Sequence, residues 1–283
     1  MKTIPSVAEM QSVSESLRNL GKRVGVVPTM GYLHEGHLSL VRIAKGKADV
    51  VVTTIFVNPK QFGPEEDFKQ YPRDPARDAM MLQSAGVDYL FLPNEKEMYS
   101  DGFVSFVEVE KITGVLEGKF RPTHFRGVAT VVAKLFNITK PHCAVFGQKD
   151  AQQVAVIRQM VKDLNFDVEL IVAPIVREPD GLAMSSRNIY LSADERKQSL
   201  VLSESLELAQ RLVARGERNP ATVIKKMTDL ISSKPAARVD YVSIADPSTL
   251  QECRVIGNGD VVLVSLAVHF GRTRLIDNKL VTA

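Results

Sequence analysis

Two hydrophobic periods take turns along the first half of the chain. Val7, Met10, Val13, Leu17 and Leu20 recur at the spacing of an amphipathic helix. Ser6 and Glu9 form a capping-box pair at its start, and Gly21 closes it. "RVGVVP" predicts a short buried strand, and "DVVVTTIFV" (49–57) a second, too continuously apolar to leave one face solvated. Between them a helix is expected after "PTMGYLHEGH", with Leu38, Val41 and Ile43 among its buried residues. The pattern then predicts helices over 74–84, 127–140 and 150–164. Strands are predicted at "DYLFLP", "HCAVFG" and "DVELIVAPIV". Residues 103–110, "FVSFVEVE", alternate like a strand, and "LEGKFRPTHFRG" reads as a loop.

Strands separated by helices of this length imply a parallel sheet with helices on both faces. The right-handed crossover rule narrows this to an α/β, Rossmann-like, doubly wound sheet. The pattern changes after Pro174. "REPDGLAMSSRN" is a polar loop, and Ser192 with Glu195 makes a second capping box, opening a helix to about Arg215. Another helix follows Pro220, and "RVDYVSIAD", "DVVLVSLAVHF" and "TRLIDNKLV" alternate as strands of a small antiparallel sheet. The expected division is 1–174, a Rossmann-like nucleotide-binding catalytic domain, and 175–283, a smaller α+β C-terminal lid domain.

Composition narrows the class further. With 45% hydrophobic and 24% charged residues, the 283-residue chain has the balance of a soluble globular protein. A net charge of +3 is too small to suggest nucleic-acid binding, and an RNA-binding relative would need a basic stripe with exposed aromatics. Cys143 and Cys253 form no CxxC pair and are expected to be reduced thiols in a cytoplasmic protein. No apolar run reaches the ~20 residues that span a bilayer. "MKTIPSVAEM" lacks the apolar core of a signal peptide.

The chemistry gathers at the first strand–helix turn. Parallel sheets bind ligands at the carboxyl ends of their strands, and a helix start offers unsatisfied N–H groups to an anion. His34 and His37, at i, i+3, face one side of that first turn. Gly31 and Gly36 permit close approach. Two imidazoles there suit phosphate oxygens as charge develops on them. Zinc is set aside, because HExH is not HExxH and no third ligand lies nearby, so no metal ligands are assigned.

HxGH after a first strand resembles the signature of adenylyl-transferring nucleotidyltransferases, the superfamily related to class I aminoacyl-tRNA synthetases. "AMSSRN" (183–188) fits its KMSKS-like loop. The likeness goes further. "PTMG.LH.GH", "IFVNP.QF", "YPR", "HFRGV", "FG.KD.QQ", "DGLAMSSRN" and "RLIDN" stand in the order and spacing of the pantothenate synthetase (pantoate–β-alanine ligase) family, over nearly the whole chain. Gln148, where that family often has an acid, and Tyr32, at a variable position, depart from the pattern.

The resemblance implies an ATP-dependent ligase. Pantoate's carboxylate attacks the α-phosphate, pyrophosphate leaves, and β-alanine's amine displaces AMP from the bound acyl adenylate. It also implies that His34, His37, Lys149, Ser186 and Arg187 carry the catalysis. Met30, Gly31, Gly147, Asp150, Val176, Met184 and Ser185 join them around ATP, with Asp150 on the ribose and the Val176 backbone on the adenine. Asn58, Gln61 and Gln153 are expected at pantoate, with Phe56 or Val131 as an apolar wall; Gln61, Arg121 and His124 are expected at β-alanine. Amides suit pantoate because they donate and accept hydrogen bonds without competing as nucleophiles. Mg2+ is expected with the triphosphate, held mainly by phosphate oxygens and water. His142 and His269 are expected to be structural, and the family implies a homodimer through the first domain. The "DGLAMSSRN" loop is expected to close over ATP and exclude water. The alternative reading is a nucleotidyltransferase adenylylating a different small acid or a phosphate acceptor.

Overall fold

A computed structural model describes residues 1–283. Six strands form the larger sheet: β1 (Lys2–Ile4), β2 (Val24–Thr29), β3 (Val50–Ile55), β4 (Tyr89–Phe91), β5 (Cys143–Gly147) and β6 (Glu169–Ala173). Every pairing is parallel, in the order β1-β4-β3-β2-β5-β6. The chain moves outward from β2 through β3 to β4, then returns to lay β5 on the other side of β2. The winding direction therefore reverses between β2 and β5, and the crevice at their carboxyl ends is the ligand position of such sheets.

Seven helices cover this sheet: α1 (Val7–Asn19), α2 (Glu35–Lys45), α3 (Pro75–Ser84), α4 (Glu95–Met98), α5 (Glu117–Phe120), α6 (His124–Thr139) and α7 (Ala151–Asp163). Strand alternation sorts the core into two layers. Val26, Val52, Phe91, Ala144 and Phe146 pack with Met10 of α1, Val128 of α6 and Ile157 of α7. Val27, Val51, Leu90 and Val145 pack with Leu40 and Val41 of α2 and Leu82 of α3. Both faces are covered, which is why the strands read as unbroken apolar runs.

The chain leaves the large sheet at Ala173. After the 174–190 loop come α8 (Ala193–Ser199), α9 (Val201–Ala214), α10 (Pro220–Ser232) and the antiparallel sheet β7 (Ala237–Ala245), β8 (Val261–Phe270) and β9 (Thr273–Thr282), with β8 central. Leu206 and Val213 of α9 and Val223, Met227 and Ile231 of α10 pack on Val264, Leu266 and Val268 of β8. The architecture is thus an α/β parallel sheet followed by a smaller antiparallel one.

Several local expectations differ from the structure. Residues 103–110 form no ladder; the Val107 N–H is taken by the Thr130 hydroxyl of α6 at 2.9 Å instead. The "LEGKFRPTHFRG" loop contains α5 and the first turn of α6, which begins at His124 rather than at 127. The helix opened by Ser192 and Glu195, whose capping box is complete, breaks at Leu200 into α8 and α9. The Ser6 box is only half formed: its hydroxyl caps the Glu9 N–H, while the Glu9 carboxylate pairs with Lys2. In α2 the deeply buried residues are Leu40, Val41 and Ala44, with Leu38 and Ile43 at the margin. The short β1 has too few residues to show a period.

Candidate active site

At the end of β2 the chain turns sharply. Gly31 adopts φ +83° and Tyr32 φ +49°. A Cβ on Gly31 would lie 2.9 Å from Ile55 Cγ2, so only glycine fits. Buried Asp78 of α3 secures the turn by accepting the N–H groups of Tyr32 (2.7 Å) and Leu33 (2.8 Å).

The two histidines close the start of α2 as a reciprocal cap. His34 Nδ1 accepts the Gly36 N–H at 3.1 Å, and His37 Nδ1 accepts the His34 N–H at 3.2 Å. A backbone amide can only donate, so both Nδ1 atoms are unprotonated and each neutral ring carries its hydrogen on Nε2. The ring centroids are 4.1 Å apart. Burial, reinforced by the charge of Lys149, lowers the His34 pKa to about 4. Burial, then His34 and Lys149, hold His37 well below the usual imidazole value. This narrows one expectation: the rings themselves take up two backbone donors of this helix start, and their Nε2–H groups are left as donors for an anion.

Both histidines line a cleft of about 1520 Å³ over the β2–β5 crevice. Met30, Gln61, Gly147, Lys149, Asp150, Gln153, Val176, Met184, Ser185, Ser186 and Arg187 line it too, as do Phe56, Val131, Arg121 and His124. Lys149 stands on the single turn after β5, and Asn278 of β9 holds that turn. The Asn278 amide donates to the Gln148 and Lys149 carbonyls at 3.0 and 2.9 Å, and its Oδ1 accepts from Gln148 Nε2 at 3.0 Å. Gln148 thus has a donor's role that an acid would not fill. The 174–190 loop is tied to the neighbouring residue of β9, where Asp277 accepts two hydrogen bonds from Arg177 (2.6 and 3.0 Å). Met184 N–H donates to the Val176 carbonyl at 3.0 Å, leaving the Val176 N–H as that residue's free backbone group.

Two of the cleft arginines already hold carboxylates on a single neighbouring loop. Arg187 is bidentate to Asp67 and Arg121 is bidentate to Glu66. The Ser185 hydroxyl caps the Arg187 N–H, and Ser186 donates to the Tyr32 carbonyl at 3.1 Å. His124 Nδ1–H donates to the Gln61 carbonyl at 2.9 Å, so its Nε2 accepts from Arg121 at 3.2 Å. Burial, then Arg121, lowers its pKa to about 3. Both ring nitrogens of His124 are therefore engaged inside the protein. His124, expected at β-alanine, lines the cleft and here supports Arg121 and the Gln61 carbonyl. Asn58 and Gly31 do not line the cleft; Asn58 lies behind Gln61 and donates to its Oε1 at 3.0 Å.

Glu66, Asp67, Asp78, Asp277 and Asn278 escaped the sequence reading. The "RLIDN" stretch was visible as a motif, but its last two residues act on partners far away in the chain.

The family model for pantoate-beta-alanine ligase matches residues 2–280. Pantothenate synthetase of Chloroherpeton thalassium is 58% identical, with 98% of each chain covered, and that of Thermotoga neapolitana 53%, with 99% of each covered. The crystal structure of pantothenate synthetase from Thermus thermophilus superposes with a TM-score of 0.94 at 45% identity, covering 100% of both chains. A pantoate-beta-alanine ligase from Francisella tularensis, solved with beta-gamma ATP and beta-alanine, gives 0.80 at 37% identity, over 99% of this chain and 97% of that one. These full-length matches do not favour the reading of an enzyme acting on a different acid or phosphate acceptor. On the strength of a family match across nearly its whole length and relatives above half identity, the chain belongs to the pantoate–β-alanine ligase family and is a ligase joining pantoate to β-alanine.

Proposed function

We propose that the ligation runs through a pantoyl adenylate formed in the β2–β5 cleft. The observation that carries this is the tautomer lock on His34 and His37, which leaves two neutral Nε2–H donors beside Lys149. Phosphate oxygens fit such a trio. As the pantoate carboxylate attacks the α-phosphorus, the donors meet growing charge on its oxygens and on the departing pyrophosphate. Ser185, Ser186 and Arg187 take the β- and γ-phosphates once Arg187 leaves Asp67. Asp150 accepts from the ribose, Gly147 allows the adenosine to lie close, and Met30, Met184 and the Val176 N–H border the base. Gln61 and Gln153 bind pantoate against Phe56 and Val131, and Arg121 takes the β-alanine carboxylate. The amine then attacks the acyl carbon and AMP leaves.

Mg2+ accompanies the triphosphate. No three His, Cys, Asp or Glu side chains gather as a cage, and a cation carried on phosphate oxygens and water requires none. It would neutralise phosphate charge. Residues 1–174 serve as the nucleotide-binding catalytic unit and 175–283 as the lid. The 103–110 segment, with Val104 82% exposed and no ladder partner, supports a homodimer through the first domain. Cys143 and Cys253 are free thiols, which supports a cytoplasmic location. No helix is long and apolar enough to cross a membrane.

Pantoate-dependent exchange of labelled pyrophosphate into ATP without β-alanine tests the scheme. The intact enzyme should exchange, and His37→Ala should exchange far more slowly while binding ATP nearly as well. No exchange by the intact enzyme, or undiminished exchange by the variant, rejects it.

A further inference from the structure

Asn58, 1% exposed beneath the cleft, is the hub of a hydrogen-bond chain. Its side-chain oxygen accepts from the Lys60 N–H at 3.2 Å and from the Tyr99 hydroxyl at 2.7 Å. The Lys60 amide can only donate, so the atom facing it is the oxygen and the opposite atom is the NH2 group. The Tyr99 hydroxyl, facing the same oxygen, must also donate. The Asn58 NH2 then donates to the Gly127 carbonyl at 3.1 Å and to Gln61 Oε1 at 3.0 Å. With its oxygen engaged, Gln61 turns Nε2–H to the cleft side, where it meets Met30 Sδ at 3.2 Å. A thioether is a weak acceptor, so this N–H stays available to a better one.

We propose that Tyr99 is a positioning residue for the ligation: acting through Asn58, it commits the Gln61 amide to offer a donor, so that the site reads an acceptor oxygen of pantoate there. This rests on the placement of Gln61 at pantoate given above. Tyr99 does not line the cleft. It is 7% exposed and packs on Phe56 and Phe103, with ring centroids 6.0 and 4.9 Å away. Burial raises its pKa and keeps the phenol protonated, as a donor must be. The chain of bonds also excludes the flipped Gln61 amide, which would set its NH2 against that of Asn58.

Tyr99→Phe keeps the ring and removes the donor. Steady-state kinetics on the full chain should show the pantoate KM raised about two- to ten-fold, the scale of one neutral hydrogen bond, with the KM values for ATP and β-alanine within two-fold. In a Gln61→Ala background the same change should add nothing to the pantoate KM. Asn58→Asp, whose two oxygens only accept, should reverse the Gln61 amide and raise the pantoate KM more than Tyr99→Phe does. It serves as the second probe if Tyr99→Phe does not fold. An equal shift of all three KM values, or an additive effect in the Gln61→Ala background, assigns Tyr99 to the core alone and overturns the inference. So does an unchanged pantoate KM in both probes while Gln61→Ala raises it. An unchanged KM in Gln61→Ala itself removes the underlying pantoate assignment as well.

Discussion

Asp67 clasps Arg187 with both carboxylate oxygens, accepting from Nε at 2.9 Å and from Nη2 at 2.8 Å. The adjacent Glu66 grips Arg121 in the same way, at 2.8 and 2.6 Å. Two neighbouring acids on one loop thus occupy the two guanidinium groups assigned to substrate anions. A phosphate that binds Arg187 must displace a bidentate partner, and the exchange offsets part of its binding energy. Asp67→Asn keeps the shape and removes the charge. The apparent affinity for ATP should rise about three- to ten-fold, read by isothermal titration without pantoate, in line with loss of a partly buried ion pair. A weakened affinity would show that Asp67 orients Arg187 for ATP rather than competing with it.

The histidines should leave no mark on the rate near neutrality. His34 titrates at about 4 and His124 at about 3, both lowered first by burial, and His37 lies well below its ordinary value. Pyrophosphate exchange should therefore show no limb between pH 6 and 8 from these groups. Stability should. A depressed histidine pKa means that the unfolded chain binds protons first, near pH 6.5. The stabilisation is therefore full above that pH and falls as the solution is acidified toward 4. Each pKa unit is worth about 1.4 kcal/mol, so urea midpoints should drop clearly between pH 7 and pH 4.5. His124→Gln should flatten that slope. An unchanged slope would mean that other groups govern it.

Gly127 is where α6 meets the single helical turn that carries Gln61. A Cβ there would lie 2.2 Å from the Lys60 carbonyl oxygen and 2.6 Å from Gln61 Cα. Both neighbours are backbone, so the clash cannot be relieved by a rotamer change. Gly127→Ala should lower stability by about 1–3 kcal/mol, the usual cost of overpacking, and raise the pantoate KM while leaving that for ATP alone. Normal melting with normal pantoate kinetics would show that the turn moves aside freely.

What could be read along the chain was what depends on near neighbours. The HxGH pair is a local device, since each histidine caps a residue two or three positions away, and its chemistry was visible at once. The buried strands were visible because both faces are covered, which leaves an unbroken apolar run. Residues 103–110 misled for the converse reason: alternation records one solvated face, but a strand also needs an adjacent strand, and the segment itself says nothing about one. Asp67 and Asn278 were unreadable because their partners lie 120 and 129 residues away, and exposed loops are full of acids and amides with no partner at all. His124 shows the same limit: a histidine beside an arginine looks like an anion site, while a carbonyl 63 residues away sets its tautomer.

A long-range dependence runs from the second sheet to Lys149. Asn278, 3% exposed, donates to the carbonyls of both Gln148 and Lys149, and so sets the turn from which Lys149 reaches the cleft. Asn278→Ala leaves two carbonyls without their donor, at a cost of about 1–3 kcal/mol if no water replaces it. Asn278→Asp should be worse, because a carboxylate facing two carbonyl oxygens repels both, although it matches asparagine in size. If the turn positions Lys149 for the departing pyrophosphate, single-turnover adenylation should slow roughly ten-fold in the alanine variant and further in the aspartate variant, following the free-energy scale of about 1.4 kcal/mol per decade. ATP binding should change less than the rate, since the lysine's charge remains and only its placement is lost. Melting curves taken alongside separate the two roles of the bond. A lower melting temperature with an unaltered rate per folded molecule would make Asn278 a clasp between the sheets and nothing more. A slowed rate in the order asparagine, alanine, aspartate would tie the second sheet to the phosphate chemistry of the first.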